Sequence, residues 1–406
     1  MAGTKLRYKV VIVAPTCFYY QVTLFRKLAA HPRIDLLVCF CSDESLYARD
    51  VHEMYKTDSS WGDEGQLLDG FKYKFLKNRS LSPSYLKWPF GLINPGIWSE
   101  IREERTDVVI LMSWMNLTWW IAVSACLRYG VPFLYMTDAN VQAELVGRRW
   151  KKWIKSFMLG KLLFPLATGF LCAGTANHLL YRFYGVPEEK LVPFAYSWGY
   201  EPFLQISEGL RLRKKELRAA LGLPEEGFVI LFCGRLSKEK DPFALLEAYR
   251  RVKNRNKTLI FVGDGELNNS LKDYVAEHNL ESVHFFGFQG RREIAKFYAV
   301  SDALVLPSHR ETWGIVVNEA LCFRLPVIVS DQVGAGRDLV RDGQNGYRFP
   351  AGDVEMLAER INQLMDLPED KRTLMGIMSL KMITGWAERD LPGSLDAYLD
   401  YVYSKK

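Results

Sequence analysis

Short apolar runs rich in β-branched residues alternate with longer amphipathic stretches along the whole chain. This alternation predicts parallel strands with helices covering both faces, and therefore an α/β fold. A first series of strands is predicted at residues 9–14, 35–41, 72–76, 107–112, 132–136 and 169–172. A second series begins with FVILFCGRL at Phe228 and continues with TLIFVGDG, SVHFFGF, DALVLPS, PVIVSD and NGYRF.

The two series predict two domains, because 406 residues exceed what one ordinary core accommodates. We predict two doubly wound, Rossmann-like domains facing across a cleft, one at residues 1–200 and one at residues 201–380. A helix within residues 381–406 is predicted to return to the first domain. In such sheets ligands bind at the carboxyl ends of the strands.

Charge and cysteine usage narrow the class of protein. The net charge of +6 is too small to indicate a general nucleic-acid binder. Seven scattered cysteines without a CxxC motif predict reduced core residues and a cytoplasmic protein. The first apolar run is too short for a signal peptide, and no stretch predicts a transmembrane helix.

Glu311 and Glu319 lie eight positions apart, Glu311 in a loop and Glu319 in the second turn of the helix that follows. Eight helical positions correspond to roughly 12 Å, whereas hydrolytic carboxylate pairs stand about 5–9.5 Å apart. The pair is therefore predicted to hold the two ends of one extended ligand. The backbone N–H groups of residues 312–315 open the helix between them and can bind phosphate.

The segment GRLSKEK places Arg235 and Lys240 just beyond the first strand of the second series. Two cations at a strand end suit a diphosphate, although such a pair can also be an ordinary solvated surface. Together with the two glutamates they predict a nucleotide-diphosphate sugar as ligand. No DxD motif is present, so we expect no metal ion and no other cofactor.

Several segments, in this order and spacing, resemble the retaining glycosyltransferases of family four, which have the GT-B fold. They are GRLSKEKD, VGDGEL, FFGF, LPSHRETWGIVVNEAL, LPVIVSD and LVRDGQNGYRFPAGD, and the resemblance is specific over Phe228–Asp353. It implies that Glu319 binds the ribose hydroxyls, Glu311 the donor sugar, and Arg235 with Lys240 the diphosphate. The backbone near Phe288 would contact the base. The remaining donor contacts would come from Thr312, Trp313, Gly314, Ile315 and Val316.

The first domain departs from the family pattern. The first strand is followed by APTCFYYQVTLF, where many relatives have a glycine pair. After PFLYMTDAN, the place of a family histidine is taken by Thr137 or Asp138, and Asp138 is our candidate fourth catalytic residue beside Glu311, Arg235 and Lys240. His309 beside Glu311 is interpreted as a loop histidine with structural contacts.

Residues 147–164, GRRWKKWIKSFMLGKLLF, are predicted to form one basic and aromatic helix. At 100° per residue an apolar face lies opposite a cationic face, which suits an anionic membrane surface. The alternative is a helix packed in the core with a solvated basic side. The candidate membrane residues are Arg148, Arg149, Trp150, Lys151, Lys152, Trp153 and Lys155.

The resemblance implies a hexosyltransferase that transfers a sugar from a nucleotide-diphosphate sugar to a glycan or lipid-linked glycan, with retention of configuration. Its expected role is cell-surface polysaccharide biosynthesis in the cytoplasm, peripheral on the inner face of the plasma membrane, without nucleic-acid partners. The alternatives are a nucleotide-sugar epimerase of the same fold, or an inactive relative that binds glycan or membrane.

Overall fold

The computed structural model describes residues 6–47, 68–142, 149–195, 200–389 and 391–404. The chain divides into two compact units, unit 1 from Met1–Trp198 with Arg389–Lys406, and unit 2 from Gly199–Glu388. Each unit is an α/β layer structure around its own parallel sheet. Unit 2 is therefore inserted into unit 1 along the chain.

Unit 1 contains a seven-stranded sheet in the order β3-β2-β1-β4-β5-β6-β7. The apolar runs predicted as strands form strands because helices cover both faces, and β4, VVIL, is buried throughout. The elements are β1 (Tyr8–Ala14), α1 (Tyr19–Ala30), β2 (Ile34–Phe40), α2 (Glu44–Tyr47), β3 (Lys72–Phe75), α3 (Ile97–Glu103), β4 (Val108–Leu111), α4 (Leu117–Tyr129), β5 (Phe133–Thr137), α5 (Arg149–Phe157), β6 (Gly169–Ala173), α6 (Thr175–Phe183), β7 (Leu191–Phe194) and the C-terminal helix α16 (Leu391–Ser404).

Unit 2 contains a six-stranded parallel sheet in the order β10-β9-β8-β11-β12-β13. All six strands predicted for the second series are present. The elements are α7 (Glu201–Leu212), α8 (Lys214–Ala220), β8 (Phe228–Cys233), α9 (Pro242–Arg251), β9 (Lys257–Val262), α10 (Asn268–Glu277), β10 (Val283–Phe285), α11 (Arg291–Val300), β11 (Ala303–Leu306), α12 (Ile315–Cys322), β12 (Val327–Ser330), α13 (Gly334–Leu339), β13 (Gly346–Phe349), α14 (Val354–Met365) and α15 (Glu369–Ala387).

The strand order reverses between β8 and β11 in unit 2, which pair directly, with Ala303 opposite Ile230. At such a switch point the loops after the two strands diverge to opposite sides of the sheet and leave a crevice between them. The loops are residues 234–241 after β8 and residues 307–314 after β11. They carry both cations and the first glutamate of the predicted site.

The C-terminal helix α16 lies along the amino ends of the unit 1 strands. It buries Leu395 and Leu399, and the hydroxyl of Tyr398 donates to the carbonyl of Thr168, just before β6. Asp400 accepts from the hydroxyl of Tyr8 at 2.7 Å, and also from Arg33. These contacts attach the end of the chain to the beginnings of several strands.

We expect Asp400→Asn to lower the melting temperature at pH 7. The bonds from Arg33 and Tyr8 lower the pKa of Asp400 to about 2, from about 4 in an unfolded chain. A lowered folded-state pKa contributes stability above the unfolded value and loses it as the pH falls through the folded value. Melting curves from pH 7 to pH 2 should therefore converge for the two proteins, with exposed Asp273→Asn as control. A difference that stays constant down to pH 2 would contradict this role.

The seven cysteines are all buried and free, as their apolar surroundings predicted. Burial raises the pKa of the Cys233 thiol to about 12. Of the helices within the described ranges, none combines the length and apolar character needed to cross a bilayer.

Candidate functional site

Five contacts join the two loops at the switch point of unit 2. The backbone N–H groups of His309 and Arg310 both donate to the carbonyl of Glu239, at 2.8 and 3.2 Å. The imidazole of His309 lies 2.9 Å from the Asp241 carboxylate, and Arg310 pairs with the Glu239 side chain at 3.5 Å. His309 thus makes the structural contact predicted for it. These contacts hold the two loops together.

The fifth contact is a direct ion pair between Lys240 and Glu311. Their side chains are 21% and 14% exposed, so solvent screens the pair less than it screens a surface pair. The two residues predicted to bind different parts of one ligand are therefore paired with each other. A ligand carrying both phosphate and hydroxyl groups can replace this contact on both sides.

Arg235 lies at the mouth of the same crevice and is about half exposed. Its guanidinium is 3.6 Å from Glu266, a residue of the GDGEL turn after β9. That turn approaches the Arg235 loop closely, since a Cβ on Gly263 would lie 1.9 Å from the carbonyl of Gly234. The N–H of Leu236 completes the contact by donating to the carbonyl of Asp264. The glycines after β9 therefore position the backbone beside Arg235.

Glu319 lies in the second turn of α12 and is 5% exposed. The hydroxyl of Tyr298 donates to its carboxylate at 2.7 Å. Tyr298 is fully buried in α11, and burial raises its pKa well above the usual range, so this hydroxyl stays protonated and acts as a donor. Sequence inspection missed Tyr298. The only signal it offered was a tyrosine on the buried face of an amphipathic helix, where its hydroxyl needs a partner.

The segment from Glu311 to Gly314 is fixed by the start of α13. The N–H of Ala335 donates to the carbonyl of Trp313, and a Cβ on Gly334 would lie 2.1 Å from the carbonyl of Thr312. Gly314 takes a left-handed conformation, with φ of +93°, immediately before Ile315 opens the helix. This turn leaves the first N–H groups of α12 without helical partners, which suits an anion at this end.

Trp313 is a core residue. Its ring is 3% exposed and stacks on Trp386 of α15 with ring centroids 5.8 Å apart. Its Nε1 donates to the side chain of Asn318 at 2.9 Å. Any contact between Trp313 and a ligand must therefore be made by its backbone.

Phe288 and Asp138 complete the predicted set. Phe288 follows β10 and is 38% exposed. The carbonyl of Gly287, the residue before Phe288, accepts from the N–H of Gly263. Asp138 belongs to unit 1, where it is exposed just after the end of β5. The assignment of Asp138 as a catalytic residue stays a prediction. Across the described ranges, no group of three or more His, Cys, Asp or Glu side chains forms a metal site.

The predicted basic helix is shorter than expected. The α-helix covers Arg149–Phe157, a π-helix follows over Met158–Leu163 and a 3₁₀ turn over Phe164–Leu166, so one continuous α-helix over residues 147–164 was wrong. The wider π turns change the angle per residue, so Leu159 and Leu163 reach the core. Gly147 and Arg148 lie outside the described residues, as do the side chains of Arg149, Trp150, Lys151 and Lys152.

The described part of the apolar face of this helix lies on the surface. Trp153 is 70% exposed, Phe157 is 48% exposed, and the two rings stack with centroids 6.0 Å apart. Ile154 is also exposed, and Lys155 is partly exposed. A helix packed in the core by its aromatic face would bury these side chains, so the core alternative does not hold for residues 153–157.

Comparison with known proteins agrees with the fold and the motifs. The family model described as glycosyl transferases group 1 matches residues 213–376. A D-inositol 3-phosphate glycosyltransferase of Streptomyces griseus is 26% identical over 327 residues, covering 74% of this chain and 68% of the relative. The UDP-Gal:alpha-D-GlcNAc-diphosphoundecaprenol alpha-1,3-galactosyltransferase of Escherichia coli is 31% identical over 196 residues, covering 46% of this chain and 49% of that enzyme.

Solved structures match over almost the whole chain. The crystal structure of Anabaena Alr3699/HepE in complex with UDP has a TM-score of 0.70 at 17% identity, with 98% of this chain and 100% of that chain covered. WaaG, described as a glycosyltransferase involved in lipopolysaccharide biosynthesis, has a TM-score of 0.66 at 16% identity, with coverages of 96% and 99%. At this level of identity the likeness concerns the fold.

Fold and motifs together define this chain as a glycosyltransferase with the GT-B fold. More particularly, the model of the glycosyl transferases group 1 matches residues 213–376, which make up most of unit 2. The resemblance to family four drawn from the motifs is thereby confirmed.

Proposed function

We propose that this enzyme transfers a hexose from a nucleotide-diphosphate sugar to a glycan or lipid-linked glycan, with retention of anomeric configuration. The observation that carries the proposal is the contact between Lys240 and Glu311 at the switch point, beside the opening of α12. A diphosphate would bind Lys240, Arg235 and the helix N–H groups, and the hexose hydroxyls would bind Glu311. The UDP complex of Anabaena HepE supports a uridine nucleotide as the first one to test.

The proposed chemistry needs no nucleophile from the protein. As the bond from the anomeric carbon to the diphosphate oxygen breaks, negative charge develops on the departing diphosphate. The diphosphate accepts the proton of the acceptor hydroxyl, whose oxygen forms the new bond to the anomeric carbon on the same face of the sugar. Arg235, Lys240 and the helix N–H groups stabilise that charge from fixed positions, which is often the largest contribution to catalysis. We expect the reaction to proceed in the presence of chelator, because the sequence lacks a DxD motif.

Incubation with a panel of nucleotide sugars tests the proposal. A transferase releases nucleoside diphosphate slowly, and faster once a glycan acceptor is added. An epimerase would interconvert nucleotide sugars, and an inactive relative would do neither. The configuration of the product, determined by NMR, tests retention.

The proposed ribose contact gives a prediction for Tyr298, which holds one oxygen of Glu319 in place. We expect Tyr298→Phe to weaken UDP binding roughly three- to tenfold, because a carboxylate that loses a fixed donor no longer orients toward the ribose. The affinity for 2′-deoxy-UDP should change less, so the ratio of the affinities for UDP and 2′-deoxy-UDP should fall. Calorimetry with both nucleotides is the measurement. An equal loss for both would indicate a merely structural role for Tyr298.

The proposal includes docking on anionic membrane through residues 149–157, which would bring the site to a lipid-linked acceptor. The exposed Trp153 and Phe157 supply apolar area, and the sequence of residues 149–157 supplies four cations, Arg149, Lys151, Lys152 and Lys155. The diphosphoundecaprenol in the name of the Escherichia coli relative supports an acceptor of this kind.

We expect wild type to sediment with anionic but not with neutral vesicles. Lys151/Lys152/Lys155→Gln should lose this binding at an unchanged melting temperature, since each cation contributes about 1 kcal/mol near a charged surface. Lys253/Lys272/Lys371→Gln removes the same charge from exposed positions of unit 2 and serves as the matched control. Equal losses of vesicle binding in both triple variants would show that overall charge alone causes the binding.

A further inference from the structure

Unit 1 exposes a second apolar surface, separate in sequence from the basic helix. It is formed by residues 78–93, named here the aromatic loop, together with Met115 at the start of α4. Large apolar side chains normally avoid such exposure when they are close together. Leu81 is fully exposed, and the exposed fractions of the others are 55% for Leu86, 63% for Trp88, 65% for Phe90 and 51% for Met115.

Hydrogen bonds hold the aromatic loop in one conformation. Asn78 accepts from the N–H groups of Ser80 and Ile93 and donates to the carbonyl of Gly91 at 2.9 Å. The carboxylate of Glu44 accepts from the Ser84 hydroxyl and from the N–H of Tyr85. The loop closes so tightly that a Cβ on Gly91 would lie 2.0 Å from the Ser84 carbonyl. Its apolar side chains are therefore presented by a fixed backbone, and little ordering cost remains for binding.

The aromatic loop and residues 149–166 cover the same face of the unit 1 sheet. The N–H groups of Leu117 and Thr118 donate to the carbonyls of Pro89 and Leu92, which ties the loop to α4. Leu92 belongs to the same hydrophobic cluster as Leu159 and Phe164 of the segment after α5. The strand residues of that cluster alternate along each strand and hence lie on one face of the sheet. They include Val11, Val13, Val109, Leu111, Phe133 and Tyr135.

Three segments that cover this face contain no acidic residue, whereas α3, whose Ile97 and Ile101 belong to the same cluster, carries Glu100 and Glu103. Residues 70–99, 108–137 and 145–187 have neither Asp nor Glu, in a chain with 47 acidic residues. The aromatic loop itself carries Arg79 and Lys87, and Lys77 precedes it. A second copy of the same cation-rich face would be repelled. Leu81, Leu86 and Met115 offer a glycan neither hydrogen-bonding groups nor an aromatic face, whereas a bilayer of anionic lipids matches both the charge and the apolar side chains.

We propose that the aromatic loop is a second membrane contact, which inserts Trp88 and Phe90 at the headgroup level of an anionic bilayer. It extends the docking proposed for residues 149–157 and rests on that part of the proposed function, while donor chemistry is independent of it. Two separated contacts on one face would fix the orientation of unit 1 on the membrane as well as its affinity.

Site-specific labelling tests the proposal. Trp88→Cys carries an environment-sensitive fluorophore, and the seven native cysteines are all buried, so the label should attach at position 88. Exposed Leu374→Cys in unit 2 is the matched control. With phosphatidylglycerol vesicles we expect a blue shift at position 88, quenching by lipid-borne quencher, and no change at position 374.

A second measurement uses co-sedimentation. Trp88→Ser/Phe90→Ser should raise the lipid concentration for half-binding at least tenfold, whereas exposed Leu374→Ser/Ile377→Ser should not. UDP affinity should be equal in all variants, so failure of this inference stays distinct from failure of the donor site. Four results would overturn it: failure of wild type to sediment, sedimentation without a spectral change at position 88, a change elicited by soluble glycan alone, or a change that depends only on protein concentration.

Discussion

Lys240→Ala should weaken UDP binding roughly ten- to hundredfold and lower turnover at least as much. A charge-assisted hydrogen bond contributes about 1.5–3 kcal/mol, and this one would bind phosphate in a partly buried crevice. The variant also leaves Glu311 without its cation, so the remaining carboxylate repels the incoming diphosphate. Calorimetry with free UDP measures the first effect and donor turnover the second.

Two matched variants sharpen this experiment. Lys238→Ala removes an exposed lysine from the same loop and should leave UDP affinity unchanged. Lys240→Ala/Glu311→Gln removes both charges and should recover part of the lost affinity, because repulsion by Glu311 disappears. If Lys240→Ala binds UDP as wild type does, the assignment of the diphosphate to this loop is wrong.

Glu311→Gln should change the affinity for free nucleotide in the opposite direction to Lys240→Ala, or leave it unchanged. It releases Lys240 from the ion pair, so UDP alone should bind as well as before, or more tightly. Turnover of the intact donor should fall by about 10²–10³, because the hexose loses the carboxylate that orients it in the transition state. Glu319→Gln, by contrast, should weaken UDP itself, since its proposed partner is the ribose.

The contrast between the two glutamate variants is the decisive result. Calorimetry should show the larger loss of UDP affinity for Glu319→Gln. Turnover with a UDP-sugar should show the larger loss for Glu311→Gln relative to its UDP affinity. Equal losses of UDP affinity in both would contradict one extended ligand held at two ends. A drop in melting temperature for Glu319→Gln alone would reflect its burial against Tyr298, so melting curves accompany both measurements.

The sequence predicts the strands of this protein well, since apolar runs buried on both faces stand out from their surroundings. It misses β7, LVPF, because Pro193 interrupts the apolar run and proline is confined to sheet edges, where β7 lies. The motifs also place Arg235, Lys240 and Glu311 at neighbouring strand ends. Their spacing cannot show that Lys240 and Glu311 touch, because this depends on side-chain direction across 71 positions.

The contacts that support the site could not be predicted from the sequence either, because they also depend on side-chain direction between distant segments. Tyr298 reaches Glu319 from another helix, and Asp241 reaches His309 from another loop. Each residue alone is an ordinary tyrosine in an amphipathic helix or an ordinary aspartate in a loop. The π-helical turn at residues 158–163 was missed because periodicity at 100° assumes α-helical geometry throughout.

The attachment of α16 to the amino ends of the unit 1 strands has a consequence for synthesis on the ribosome. Domains usually fold in the order in which they emerge, the N-terminal one first. Here unit 2 is complete in the nascent chain after Glu388, whereas unit 1 still lacks the helix that supplies Leu391, Leu395 and Leu399 to its core. Arg33 and Tyr8 are synthesised long before Asp400, the residue that pairs with both. Unit 1 therefore finishes folding after unit 2, and a chain truncated after Glu388 should protect unit 2 from protease while leaving unit 1 open to cleavage.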